Sequence, residues 1–127
     1  MVKKELRWRG KTLEELQRME LAEFMKLVPS RERRKLRRGF TSAEQKFLKR
    51  VQRGKKNIET HCRDMVIVPA LLGTSVKVHM GKEFVPLMVD LDMLGHRLGE
   101  FALTRKGVHH SAPGIGATRS SSAISVK

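Results

Sequence analysis

A single cysteine, no tyrosine, one tryptophan and only 13 acidic residues set the first limits on this 127-residue chain. One thiol excludes any intrachain disulfide and suits a reducing compartment. No apolar run approaches the ~18 residues of a membrane span. The opening residues, MVKKELRWRGK, hold no apolar stretch of a secretory signal. The chain therefore reads as soluble and intracellular, with no membrane partner. The pairs His61-Cys62 and His109-His110 invite a metal hypothesis, but one cysteine cannot supply the tight ligand pairs of a structural zinc site. Those histidines suit stacking on bases, bonding to phosphates or simple exposure. Hydrophobic residues reach 39% and charged residues 31%, which allows one small core with extensions.

What the chain lacks in acids it carries as cations. Its net charge is +14, and residues 31–56 hold 12 Lys/Arg against 2 Asp/Glu. Residues 57–100 hold 4 basic and 6 acidic residues, and residues 101–127 hold 4 basic residues and no acid. A helix face of mixed sign absorbs its charges in i,i+4 pairs; this run cannot. Charge so concentrated fits a polyanion, because displacing condensed counterions from phosphates is the largest favourable term open to it. Arg31, Arg33, Arg34, Lys35, Arg37, Arg38, Lys46, Lys49, Arg50, Lys55 and Lys56 are accordingly read as nucleic-acid-binding residues. Arginine suits this role because its fork holds phosphate bidentately and its plane stacks on bases.

Catalysis and cofactors find no support. Gly95-x3-Gly99 is not a phosphate loop, since no Gly-Lys-Ser/Thr follows. Its glycines serve backbone geometry, turning His96 and Arg97 to one side while Leu98 and Phe101 enter the core. Glu100 has no nucleophile or second carboxylate placed with it, so ion pairing or capping is its role. Asp90 and Asp92 suit a helix start. Trp8, between Arg7 and Arg9, suits either stacking on a base or packing.

Periodicity divides the chain. Thr12-Leu13-Glu14-Glu15 is a capping box, and Thr41-Ser42-Ala43-Glu44 repeats it. Leu13, Leu16 and Met19, then Leu21, Phe24, Met25 and Val28, follow helical spacing up to Pro29. Ser30 suits the cap of a third helix closed by Gly39. Ala43, Phe47 and Val51 line one face of a fourth, stopped by Gly54. After Asn57 the period shortens. Met65 to Val68 predicts a strand, Val76, Val78 and Met80 alternate as a second, and Gly81-Lys82 turns the chain into a third over Phe84–Val89. Pro86 places that last strand at an edge. Phe47, Val51, Val66, Val78, Phe84 and Leu98 are expected in the core. From Ala102 onward, Gly, Pro and Ser predict an extended tail, mobile when free.

The run Leu94-Gly95-His96-Arg97-Leu98-Gly99-Glu100-Phe101, with Thr104-Arg105, resembles the signature of the ribosomal protein S nineteen family, called S fifteen in eukaryotic cytosolic ribosomes. The Thr12–Met19 helix, Pro29-Ser30-Arg31, Thr60-His61, Arg63-Asp64-Met65 and the stretch Pro113 to Ser121 are similar to its archaeal and eukaryotic branch. The resemblance implies a structural, non-enzymatic protein of the small-subunit head. It implies binding to the 3′ major domain of small-subunit ribosomal RNA beside ribosomal protein S thirteen, with a tail reaching toward the decoding region and transfer RNA. It also implies location on cytoplasmic ribosomes.

The combined expectation is an α+β fold. A two-layer core pairs a small three-stranded, mainly antiparallel sheet with short helices, extended by a helical N-terminal part and an extended C-terminal tail. The helical basic region spans 1–56, the RNA-binding core 57–104 and the basic tail 105–127. The core is expected to present Arg63, Lys77, Lys82, His96 and Arg97, and the tail Arg105, Lys106, His109, His110 and Arg119. Two rivals remain. A helix-turn-helix DNA reader over Ser30–Gly39 and Thr41–Gly54 needs base-reading amides, and offers only Gln45 and Gln52, both on its second helix. An enzyme acting on nucleic acid needs clustered carboxylates, and the acids here are scattered.

Overall fold

A computed structural model describes residues 6–109. Four short helices come first: α1 (Leu13–Arg18), α2 (Leu21–Leu27), α3 (Ser30–Arg37) and α4 (Ser42–Gln52). Three strands follow, β1 (Ile58–Thr60), β2 (Ser75–His79) and β3 (Phe84–Met88), with 3₁₀ turns at Pro69–Leu71, Leu91–Met93 and Leu98–Phe101. The fold is α+β.

Both capping boxes form. The Thr12 amide donates to Glu15 Oε2 at 2.9 Å and the Thr41 amide to Glu44 Oε2 at 2.7 Å, each threonine hydroxyl accepting from the glutamate's amide in return. Gly39 and Gly54 close α3 and α4 in the left-handed region. Ser30 departs from expectation. Pro29 holds the cap position of α3 with no side-chain bond, and Ser30 is the first helical residue. On α4 the inward face is Glu44, Phe47 and Val51, while Ala43 is exposed. Phe47 and Val51 thus hold the expected stripe, but its first inward position is the Glu44 carboxylate in place of Ala43.

The sheet runs β1-β2-β3. The β2–β3 ladder is antiparallel over five registered pairs, and β1 joins β2 in parallel over three. Met65–Val68 is not the first strand. Its four side chains are all buried, and it runs beside the 95–98 segment instead. The Ile67 amide donates to the His96 carbonyl at 2.8 Å, and the Gly95 and Leu98 amides donate back to Ile67 and Met65 at 3.1 Å. An extended segment whose side chains are all buried reads as continuous apolar sequence, so periodicity gave no partner for it. Ile58–Thr60 is too short to announce itself.

Pro86 does sit at an edge, opposite Lys77 on β3. The Met80 amide donates to the Glu83 carbonyl at 2.9 Å. Alternation from that bonded pair leaves Lys77 and Pro86 in a non-bonded pair, where the missing N–H costs nothing to the ladder. Phe84 is a further correction. It pairs with His79, whose side chain shares the outer face with Lys77, so Phe84 lies outside the core and half-buried.

One cluster of buried side chains joins helices and sheet. Leu16, Phe24, Val28, Leu36, Phe47 and Val51 pack with Ile58, Val66, Ile67, Val76, Val78 and Leu98. Burial at about 25 cal/mol per Å² makes this shared core the main source of stability. Trp8 belongs to its margin, stacked on Phe24 at 5.6 Å with Arg9 over its ring, so packing is its role in the fold.

Candidate nucleic-acid interface

The core sorts the cations of residues 31–56. On α3, Glu32 and Leu36 turn inward. At about 100° per residue, Arg31, Arg34, Arg37 and Arg38 then fall within about 120° of the opposite face. All four are exposed. On α4, Glu44, Phe47 and Val51 point inward, and Lys46, Lys49, Arg50 and Arg53 fall within about 100° on the outer side. These are exposed too, as are Lys55 and Lys56 beyond Gly54. None of these ten has an acidic partner among the described residues. Arg53 was missed by the sequence reading. Its signal was present, because it follows Lys49 and Arg50 at i+4 and i+3.

The remaining cations of the run turn inward. Arg33 donates from Nε to the Met25 carbonyl and from Nη2 to the Val28 carbonyl, both at 3.0 Å. It thereby satisfies carbonyls left open where α2 ends. Lys35 reaches Glu44 at 3.1 Å and Asp64 at 3.4 Å. Arg97 bonds Asp64 through Nη1 and holds Nε 3.7 Å from Glu32. The chain Glu44–Lys35–Asp64–Arg97–Glu32 thus ties α3 and α4 to the 95–101 segment. The two acids of the basic run, Glu32 at 9% and Glu44 at 2% exposure, are consumed inside it. They neutralise nothing on the outer surface.

Arg63 is the second clasp. Its Nη1 donates to the His79 carbonyl at 2.6 Å, and its Nη2 donates to Gly99 and Ala102 at 2.9 and 2.7 Å. Gly95 and Gly99 serve this packing in different ways. Gly95 has φ +78°, a turn that side chains resist. Gly99 has ordinary backbone, but a Cβ there meets the Arg63 Cβ and carbonyl at 3.0 Å. Gly99→Val is therefore expected to cost about 1–3 kcal/mol by overpacking. Denaturant unfolding at fixed m-value checks it, and a midpoint equal to wild type contradicts it.

Other expected site residues are distributed. His96 meets Glu100 at 2.8 Å, while Glu100 also accepts from the Arg97 amide, the pairing and capping role read for it. Lys77 pairs with Glu59 at 3.7 Å and Lys106 with Glu83 at 2.9 Å, both pairs at the surface and so of little weight in stability. Lys82, Arg105 and His109 are exposed. His110 and Arg119 lie outside the described residues, as does the Pro113–Ser121 stretch. Asp90 stands before the Leu91–Met93 turn without a side-chain cap bond.

Among the described residues no group of three or more His, Cys, Asp or Glu is placed to hold a metal, and no helix is long and apolar enough to cross a membrane. Gln45, one of two amides available to a duplex reader, donates to the Phe40 carbonyl at 3.1 Å. The arrangement can therefore hold phosphate along an arginine- and lysine-covered exterior, backed by a neutralised interior. The model of the family described as Ribosomal protein S19 matches residues 34–110, which include α4, the sheet and the 95–101 segment. That match covers more than half of the chain, from within α3 to the last residues described. The chain belongs to the Ribosomal protein S19 family and is a structural, RNA-binding ribonucleoprotein component of the small ribosomal subunit in translation.

Proposed function

We propose that this protein binds the 3′ major domain of small-subunit ribosomal RNA in the subunit head, beside ribosomal protein S thirteen, on cytoplasmic ribosomes. Residues after 104 reach toward the decoding region and transfer RNA. One observation carries the reading: the outward cations of α3 and α4 have no acidic partner among the described residues, because the acids of the same run are used internally. Phosphate contacts from these helices set affinity, and the shape of the folded RNA sets specificity.

Directed hydroxyl-radical probing tests the placement. Lys49→Cys in a Cys62→Ser background, carrying an iron chelate, is assembled into small subunits. Cleavage within the 3′ major domain is the expected result. Cleavage confined to another domain contradicts it. For the tail, a chain lacking residues 108–127 is expected to co-sediment with small subunits at moderate salt yet impair translation. Normal polysome profiles and growth with that truncation count against a tail near the decoding region.

A further inference from the structure

The outer face of the sheet carries three rings in mutual contact. The His61 and His79 ring centroids lie 4.3 Å apart with a 36° tilt. Phe84 meets both edge-on, at 5.2 Å from His61 and 4.9 Å from His79. The register forces this grouping, since His79 pairs directly with Phe84 across the β2–β3 ladder. The opposite face, with Ile58, Val76 and Val78, is the one buried in the core. No layer covers the outer face among the described residues: Glu59 and Pro86 are exposed, and Met88 is 57% exposed.

The core does not require these rings. Phe84 is absent from the hydrophobic residues packed against it, and His61 is exposed. His79 is held in orientation, because its Nδ1 accepts from the Gly81 amide at 3.2 Å. That bond puts the proton of the neutral ring on Nε2. Lys77 shares the face, and Lys82 stands exposed at the hairpin tip with no acidic partner among the described residues. Rings on an open sheet with cations at their border form the chemistry that holds unpaired nucleotides. Every base offers a π-face for stacking, and the cations meet the neighbouring phosphates. A paired helix hides its base faces and cannot use such a surface.

We propose that His61, His79 and Phe84 form a stacking platform for one or two unpaired bases of a folded RNA, with Lys77 and Lys82 on the flanking phosphates. This rests on the RNA-binding reading above but names a second site, separate from the basic helices, and its ligand class. The test uses the full chain and two RNAs of equal length. One is a hairpin whose loop carries 2-aminopurine among unpaired purines, and the other a blunt duplex. Wild type is expected to quench the loop fluorophore. His61→Ala and Phe84→Leu are each expected to weaken loop binding about ten-fold and to lose quenching, with duplex binding unchanged.

Wild-type affinity and quenching in both variants overturn the platform and leave the helices as the RNA site. Equal loss on both RNAs also overturns it, since the rings then act through the fold. If the wild-type chain binds neither RNA, the RNA-binding reading itself fails. The exposed position of His61 makes its alanine variant the safeguard should Phe84→Leu fail to fold.

Discussion

Reversing Arg34, Arg37 and Arg38 to glutamate is expected to lower affinity for small-subunit ribosomal RNA by on the order of a hundred-fold near physiological salt, with the fold intact. The three guanidiniums sit on the exposed arc of α3, have no acidic partner among the described residues and contribute nothing to the core. If these helices hold phosphate as proposed, replacement of the three arginines removes three phosphate contacts and places three anions on the same surface. Each lost contact lowers the dependence of log K on log salt by about one unit, so the slope should fall by about three. Filter binding over a salt series reads both quantities. Circular dichroism melting should shift little, since self-repulsion on α3 is relieved as much as altered. Unchanged binding would remove α3 from the interface.

The opposite outcome is expected at Arg63. It is basic and sits in the resemblance to the family, yet its guanidinium holds the carbonyls of His79, Gly99 and Ala102. Hydrogen bonds to a charged group contribute about 1.5–3 kcal/mol each. Because the group is only partly buried, the sum is discounted. Arg63→Ala should cost about 3–5 kcal/mol, equivalent to a fall in Tm of roughly 15 °C or more. Arg63→Lys should recover only part of this, because a compact ammonium cannot reproduce the planar fork. Thermal melts of both variants decide the matter. A native melt for Arg63→Ala combined with weakened RNA binding would return Arg63 to the RNA surface.

The contrast between the α3 arginines and Arg63 marks the boundary of what the residues disclose before folding. The capping boxes at Thr12 and Thr41, the helix stops at Gly39 and Gly54, and the edge position of Pro86 were all legible, because each depends on neighbours within a few residues. Local chemistry dictates them directly. The pairing of Met65–Val68 with the 95–98 segment was not legible, because the first segment reads as continuous apolar sequence and its partner lies about thirty residues away. Phe84 was misplaced for a related reason. Only the register with His79 decides which face it occupies.

The site divides along the same line. Composition alone located the basic helices and the class of ligand. It did not separate Arg34, which faces outward, from Arg33, which caps α2, or Arg97, which joins Glu32 and Asp64. Those assignments depend on which carbonyls and carboxylates the fold brings near, and guanidinium chemistry suits both roles equally. The buried acids were the missing clue. Glu32 and Glu44 looked like weak counterweights to the charge, but they hold the inner cations and leave the outer ones without an acidic partner among the described residues.

The most direct test of the account is the salt dependence of wild-type binding to a transcript of the small-subunit 3′ major domain. Eight outward cations, six on α3 and α4 and two at their C-caps, Arg38 and Arg53, each engaging a phosphate, give a slope of log K against log salt of roughly −5 to −7. The account predicts saturable binding with a slope of that order. Weak binding with a flat profile from low to high ionic strength would contradict it.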